Sequence, residues 1–351
     1  MRFIHETLPQ RVVFAPRDAS SSLAVEVERL GATRLMVIAG QRGSALARTI
    51  TEGLPIALWH DEVVMHVPVE VANRARVAAA ENHVDAVVSI GGGSATGLAK
   101  AVALTTGLPI LAVPTTYAGS EATDVWGLTS GVHKSTGRDA RVLPRAVIYD
   151  AELTFGLPRD IAIASGLNAL AHCVDSLWAP KADPINTALA VQGVRALAAG
   201  LPLIAQDPTG ISGREQTLYG AYLAAVAFAS AGSGLHHKIC HVLGGRYDLP
   251  HAQMHSVVLP YVLAFNAPNA PAAADQLKAA FGSATALSGL QSLRKTLDAP
   301  LALRDYGFSE ADLPDATAAV LLAVPPSNPT AATTENISAL LRAALEGTEP
   351  S

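Results

Sequence analysis

The chain has 351 residues, half of them hydrophobic, and its 25 basic and 30 acidic side chains leave a net charge of −5. That length suffices for two domains with sizeable cores, and the lack of a basic run or of aromatic-basic interleaving points away from nucleic acid and toward small-molecule partners. The opening MRFIHETLPQR has charges and no apolar signal core, and no uninterrupted run of about 18 apolar residues occurs, so a soluble cytoplasmic protein without membrane contact is expected.

In chain order, β-branched runs alternate with amphipathic stretches: 11-RVVF-14, a helix near 18–31, 34-RLMVIAG-40, a helix near 43–53, a helix near 68–83, 85-DAVVSI-90, a helix near 94–106 and 109-PILAVP-114. This alternation predicts an open parallel α/β sheet, and the domain is placed at 1–156. After 144-PRAVIYDAELTFGLP-158 come Ala- and Leu-rich segments at 160–179, 183–204, 213–232, 235–243, 273–298, 310–324 and 334–346, broken at Pro and Gly. They predict an all-α domain over 157–351, with no repeat and no flexible linker.

The segment 85-DAVVSIGGGSATGLAK-100 sets Gly91, Gly92 and Gly93 at the end of a predicted strand, with Ser94 opening a helix. There, backbone N–H groups and the helix dipole hold a phosphate. No GxGxxG is present, and Gly97 is followed by Leu98 rather than by the lysine of an ATP-binding loop, which disfavours kinase or ATPase chemistry. A second polar loop, 113-VPTTYAGSEATD-124, offers Thr115, Thr116 and Ser120 after another strand, as a nucleotide crevice requires.

Five of the eleven histidines fall within 234-GLHHKICHVLGGRYDLPHAQMHS-256. His237 and His241 stand four apart on one helix face, His251 follows beyond the Gly244-Gly245 and Pro250 breaks, and Asn168 and His172 repeat the four-residue spacing. The cluster reads as a functional site. His237-Lys-Ile-Cys-His241 lacks the glutamate of a metalloprotease, which argues against peptide hydrolysis. His236 and His255 are as readily placed facing solvent, and Arg246 and Lys238 are as readily surface groups as carboxylate partners. Cys173 and Cys240, too few for a disulfide framework, read as buried small hydrophobes.

The order GGGS, 113-VPTT, GSE, the 168/172 pair and HxxxH…PH resembles the iron-containing alcohol dehydrogenase superfamily over nearly the whole chain. Within it, 114–158 and 234–260 look like the maleylacetate reductase branch, which serves aromatic-ring degradation and makes 3-oxoadipate. The resemblance implies a Rossmann-like N-terminal domain, a helical C-terminal domain in the dehydroquinate synthase-like arrangement, a site in the cleft between them, and a homodimer.

Three positions depart from the wider family. Its one-Asp, three-His metal set corresponds here to Asn168, His172, His237 and His251, and loss of the anionic ligand predicts chemistry without a required metal. Gly97 replaces the Asp of GGGSxxDxxK, while Lys100 remains. Gly40, followed by Gln41, stands where relatives that exclude NADP carry an acidic residue, so NADH and NADPH are both expected to serve.

For an enone dicarboxylate, hydride goes to the carbon β to the ketone and the enolate is then protonated. Asn168, His172, His237, His241 and His251 are expected to donate hydrogen bonds to the oxyanion or a carboxylate, with one histidine returning the proton. The alternative is an Fe- or Zn-dependent alcohol or polyol dehydrogenase. Cyclising lyase chemistry and a non-catalytic nucleotide-binding module are more distant readings.

Overall fold

A computed structural model describes residues 2–131 and 133–350, without the side chains of residues 133 and 134. The chain divides into two compact units, one of Thr7–Leu157 and the other of Pro158–Ser351 together with the N-terminal residues up to Glu6.

The first unit runs β1 (Arg11–Phe14), α1 (Ala19–Leu30), β2 (Leu35–Ile38), α2 (Ser44–Ile50), β3 (Ile56–His60), α3 (Val69–Glu81), β4 (Ala86–Gly91), α4 (Gly93–Thr106), β5 (Ile110–Pro114), β6 (Val125–Ser130), β7 (His133–Arg138) and β8 (Ala146–Tyr149). Six strands form a parallel sheet in the order β1-β8-β5-β4-β2-β3. The two-residue period of a strand explains why both faces are apolar. Leu35, Val37, Val88 and Ile90 pack with Leu23, Val27, Ala47 and Ile50 of α1 and α2. Met36, Ile38 and Val87 turn the other way, onto Val71, Ala75, Leu98 and Val102 of α3 and α4.

The chain steps outward from β2 to β3, then returns to β4 on the other side of β2 and continues through β5 to β8. The order reverses between β2 and β4, and the carboxyl ends of strands at such a point form a ligand crevice. The predicted elements of this half are present, with β3, β8 and the antiparallel β6–β7 hairpin in addition.

The second unit holds α5 (Arg159–Ser176), α6 (Pro184–Gln206), α7 (Ile211–Ala231), α8 (Leu235–Tyr247), α9 (His251–Asn266), α10 (Pro271–Phe281), α11 (Ala286–Leu297), α12 (Leu313–Ala323) and α13 (Thr334–Glu346). By length and composition α6 could cross a membrane, but its Ala190, Val194, Leu197, Leu201 and Ile204 are buried where α6 packs on α5 and α7. A glycine seam brings α6 and α7 together: a Cβ at Gly193 or Gly220 would meet the other's carbonyl oxygen at 3.3 or 3.1 Å, and Gly200 and Gly213 repeat the relation at 2.9 and 3.1 Å. Each pair is seven residues apart on its own helix, so the glycines recur on one face.

Three expectations are corrected here. The single helix expected at 273–298 is two, because Gly282 ends α10 in the left-handed conformation and Thr285 caps α11 through the Ser288 N–H. Helix α8 passes through Gly244 and Gly245 and ends at Tyr247, with Asp248 as its left-handed C-cap. Beyond Pro250 the chain starts α9, which carries Pro260 in its interior and buries Val257, Val258 and Val262 in the core formed with α8, α12 and α13.

Candidate active site

In the α/β unit, the expected nucleotide residues gather at the carboxyl ends of adjacent strands. Gly40 follows β2 and precedes Gln41, Gly91 ends β4, Gly92 is the N-cap of α4, Gly93 and Ser94 open that helix, and Thr115 follows β5. Gly91 has φ +148°, a conformation that side chains rarely adopt. Gly92 brings no side-chain cap to α4, which leaves the helix dipole and its leading N–H groups to a ligand, apart from the Ala95 N–H, which donates to the Gly92 carbonyl at 3.1 Å.

The second polar loop is built directly on the first. The Thr115 N–H donates to the Gly91 carbonyl at 3.0 Å, and a Cβ at Gly92 would lie 2.9 Å from Thr116 Cγ2. Ser120 opens a short 3-10 turn after Gly119. Gly97 also has a local reason: its Cβ would stand 2.9 Å from Val67 Cγ2. Val67 itself sits at φ +49°, unusual for a β-branched residue, and its side chain occupies the space beside Gly97.

In the helical unit, α5, α8 and α9 bring together the histidines that the sequence pairs. The His172 ring stacks on His237 with centroids 4.8 Å apart and on Phe228 at 4.8 Å. His241 lies 6.2 Å from His237, and His255 lies 5.0 Å from His237 and 4.3 Å from His251. Asn168 and His172 are buried one turn apart on α5, whereas His241 and His251 are exposed. Asn168 Oδ1, His172 Nδ1 and His237 Nε2 are buried without a partner among the described residues.

Asp175, unnoticed in the sequence, organises this cluster. It is wholly buried, its Oδ2 lies 2.8 Å from His237 Nδ1, and it accepts from the Gly234 N–H at 2.8 Å, the His236 N–H at 3.3 Å and Trp178 Nε1 at 3.3 Å. Burial raises its carboxyl to about 6, against the opposing pull of these hydrogen bonds. A Cβ at Gly234 would stand 2.4 Å from Asp175 Oδ1, so the glycine is what admits the carboxylate to the start of α8. The available signal was spacing: 168, 172 and 175 fall at i, i+4 and i+7 on one helix face.

His236 and His255 are not surface groups: both are fully buried, with His236 Nε2 2.9 Å from His255 Nδ1 and 3.7 Å from Cys240 Sγ. Burial holds His172 down to about 4 and His236 to about 3, and pushes His237 and His255 well below 6.5. These imidazoles are neutral near pH 7, so they offer hydrogen-bonding atoms rather than charge. Arg246 is committed elsewhere, with its Nη1 on Asp315 at 2.7 and 2.8 Å. Both cysteines are buried free thiols.

A nucleotide-type loop at a strand-order reversal and a buried histidine cluster on a helical unit fit a nicotinamide-dependent oxidoreductase, the class to which the relatives below belong. The chain belongs to the iron-containing alcohol dehydrogenase family: the profile described as "Iron-containing alcohol dehydrogenase" matches residues 9–151, and "Fe-containing alcohol dehydrogenase family, C-terminal" matches 162–345. A maleylacetate reductase of Pseudomonas sp. (strain P51) is 44% identical over 352 residues, covering 100% of this chain and 99% of the relative. The crystal structure of an iron-containing alcohol dehydrogenase from Corynebacterium glutamicum is 58% identical with TM-score 0.98, covering 100% of this chain and 98% of that one. A maleylacetate reductase structure from Agrobacterium tumefaciens is 40% identical with TM-score 0.95, and each chain is covered completely.

Proposed function

We propose that the chain is a maleylacetate reductase, in which NADH or NADPH delivers hydride to the carbon β to the ketone and protonation of the enolate gives 3-oxoadipate. The observation that carries this reading is the full-length 44% identity to reductases of that name. The nicotinamide cofactor is held by the loops at Gly91–Ser94 and Thr115–Ser120. Gly40 and Gln41 after β2 place no carboxylate against a 2′-phosphate, which supports use of either cofactor.

Asn168, His172 and His237 form the buried, uncharged part of the substrate site. Because the His237 Nδ1–H donates to Asp175, the Nε2 of that ring is an acceptor. One histidine of the cluster returns the proton to the enolate, and the exposed His241 and His251 are the ones that solvent reaches.

The family's metal pattern does not fit this donor set. Asn168 is neutral, and the nearby carboxylate of Asp175 is engaged by His237 and by helix N–H groups, so the four positions of that pattern, Asn168, His172, His237 and His251, offer no anion to a divalent charge. We assign no step to a metal. The partnerless His172 Nδ1 and His237 Nε2 favour one second reading, a zinc-dependent alcohol dehydrogenase, because zinc accepts imidazole ligands. We further read the enzyme as a cytoplasmic homodimer acting on a dicarboxylate in aromatic catabolism, with light scattering the check on its assembly.

The deciding experiment follows NADH oxidation with fresh maleylacetate, with and without EDTA, and identifies the product by mass spectrometry. Chelator-resistant formation of 3-oxoadipate is expected. No turnover of maleylacetate, with metal-stimulated oxidation of small alcohols, would replace this reading by the second.

A further inference from the structure

Lys100 follows the glycine loop on α4, where a lysine is readily taken for a phosphate ligand. Its side chain does something else. Lys100 is 1% exposed, and a buried ammonium is tolerated only when its protons are satisfied. Its Nζ lies 2.6 Å from the Ser120 carbonyl, 2.8 Å from that of Thr123, 3.0 Å from Thr123 Oγ1 and 2.8 Å from the Val125 carbonyl. Four oxygens therefore share three N–H donors, and all four belong to the second polar loop and the first residue of β6. Burial lowers the Lys100 ammonium to about 7, against the opposing pull of Glu121 and Asp124 in the same segment.

The loop is thus held at two ends. Near Thr115 it is tied to the glycine loop by the Gly91 carbonyl and by the close approach of Thr116 to Gly92. From Ser120 to Val125 it is tied to the body of α4 by Lys100. Helix α4 begins at the glycine loop, so both polar loops are fixed to one rigid element.

We infer that Lys100 is a positioning residue for the nucleotide site, setting Thr115, Thr116 and Ser120 against the N-terminus of α4 without touching the phosphates. This rests on the reading of those loops as the cofactor site. Loss of the ammonium leaves three buried carbonyls without their shared donor, and the loop relaxes away from its spacing. Displacements of about 1 Å at a binding loop cost up to roughly 100-fold in rate.

The test is steady-state kinetics of Lys100→Met, Thr123→Val and Gly92→Ala, with NADH and maleylacetate varied separately and thermal unfolding recorded alongside. Lys100→Met is expected to raise KM for NADH by roughly 10-fold or more while KM for maleylacetate stays within about 2-fold. Thr123→Val removes one of the four oxygens and keeps the lysine, so it is expected to raise KM for NADH in the same direction by a smaller factor, which covers the case in which Lys100→Met does not fold. An unchanged KM for NADH in folded Lys100→Met, or in Thr123→Val where that variant alone folds, overturns the proposal if Gly92→Ala does raise it. An unchanged KM in Gly92→Ala overturns the cofactor-site reading beneath it.

Discussion

His237 Nδ1 and Asp175 Oδ2 are 2.8 Å apart in the interior of the helical unit, and that contact determines what the imidazole can do. The carboxylate accepts a hydrogen bond from Nδ1–H, which keeps the proton on Nδ1 and leaves Nε2 as a lone pair with no partner among the described residues. The same Asp175 accepts the Gly234 N–H, so it also anchors the start of α8 and with it the position of the ring. Tautomer and placement come from one side chain.

Asp175→Asn separates these roles from simple packing, because the two side chains are nearly isosteric. The amide brings an NH2 group against donors, and it either reverses the His237 tautomer or loses an N–H partner. A fall in kcat/KM for maleylacetate of about 10–100-fold is expected, with 15N NMR reporting the tautomer. Activity within a few-fold of wild type in the folded variant would show that His237 works without this lock.

The buried histidines make the fold acid-sensitive. His172 is held near 4 and His236 near 3, and His237 and His255 lie well below their ordinary 6.5, in each case chiefly by burial. Below about pH 6.5 the unfolded chain takes up protons that the folded chain does not, so stability present at neutral pH is lost as pH falls from about 6.5 toward 4. The slope is up to about 1.4 kcal/mol per pH unit for each such histidine. Urea midpoints measured between pH 7 and 4.5 are expected to drop steeply, and a flat profile would mean that these rings protonate in the folded state.

Gly97→Asp restores the residue common in the family but sets a side chain against Val67, 2.9 Å from the new Cβ. Overpacking of this kind costs about 1–3 kcal/mol. Pairing it with Val67→Ala is expected to recover most of the loss, read as coupling in a double-mutant cycle of unfolding free energies. Additive losses would show that Val67 is not what excludes the Asp.

Much of this arrangement was legible in the sequence because it depends on period and punctuation. The strands at 34–40, 85–90 and 109–114 carry enough β-branched residues to be read without a structure, and Gly91–Ser94 marks where β4 gives way to α4. The pairs 168/172 and 237/241 follow from helical spacing alone. What escaped depends on tertiary context. The β6–β7 hairpin has no counterpart among the predicted elements, because the pairing of two short strands is set by the partner rather than by a long hydrophobic run. Helix α9 escaped because Pro250 and Pro260 look like breaks, although one precedes the helix and the other is carried inside it. Asp175 was passed over because a carboxylate reads as a surface group until the Gly234 N–H and His237 are seen to surround it.

Gly200 and Gly245 test how far glycine in these helices is a matter of contact. A Cβ at Gly200 would meet Thr217 Oγ1 at 2.6 Å and the Gly213 carbonyl at 2.9 Å, whereas one at Gly245 meets nothing within 4 Å. Gly200→Ala is expected to destabilise by about 1–3 kcal/mol by prying α6 from α7. Gly245→Ala is expected to stabilise by about 0.5–1 kcal/mol through helix propensity. Equal effects of the two changes in chemical denaturation would remove the seam as the reason for Gly200.

Asn168→Asp is the change that bears most directly on the metal question. Asn168 is buried on α5 one turn before His172, and its Oδ1, like His172 Nδ1 and His237 Nε2, has no partner among the described residues. A carboxylate there would add the anion that the donor set lacks, and a buried carboxylate beside neutral imidazoles is relieved by taking up a cation. The variant is expected to bind Zn²⁺ or Fe²⁺ at least about 10-fold more tightly than wild type by competition titration, and reduction of maleylacetate is expected to become sensitive to EDTA. Tight stoichiometric metal in the wild type, with no gain on substitution, would show instead that three imidazoles already hold an ion and that Asn168 does not stand in the way of one.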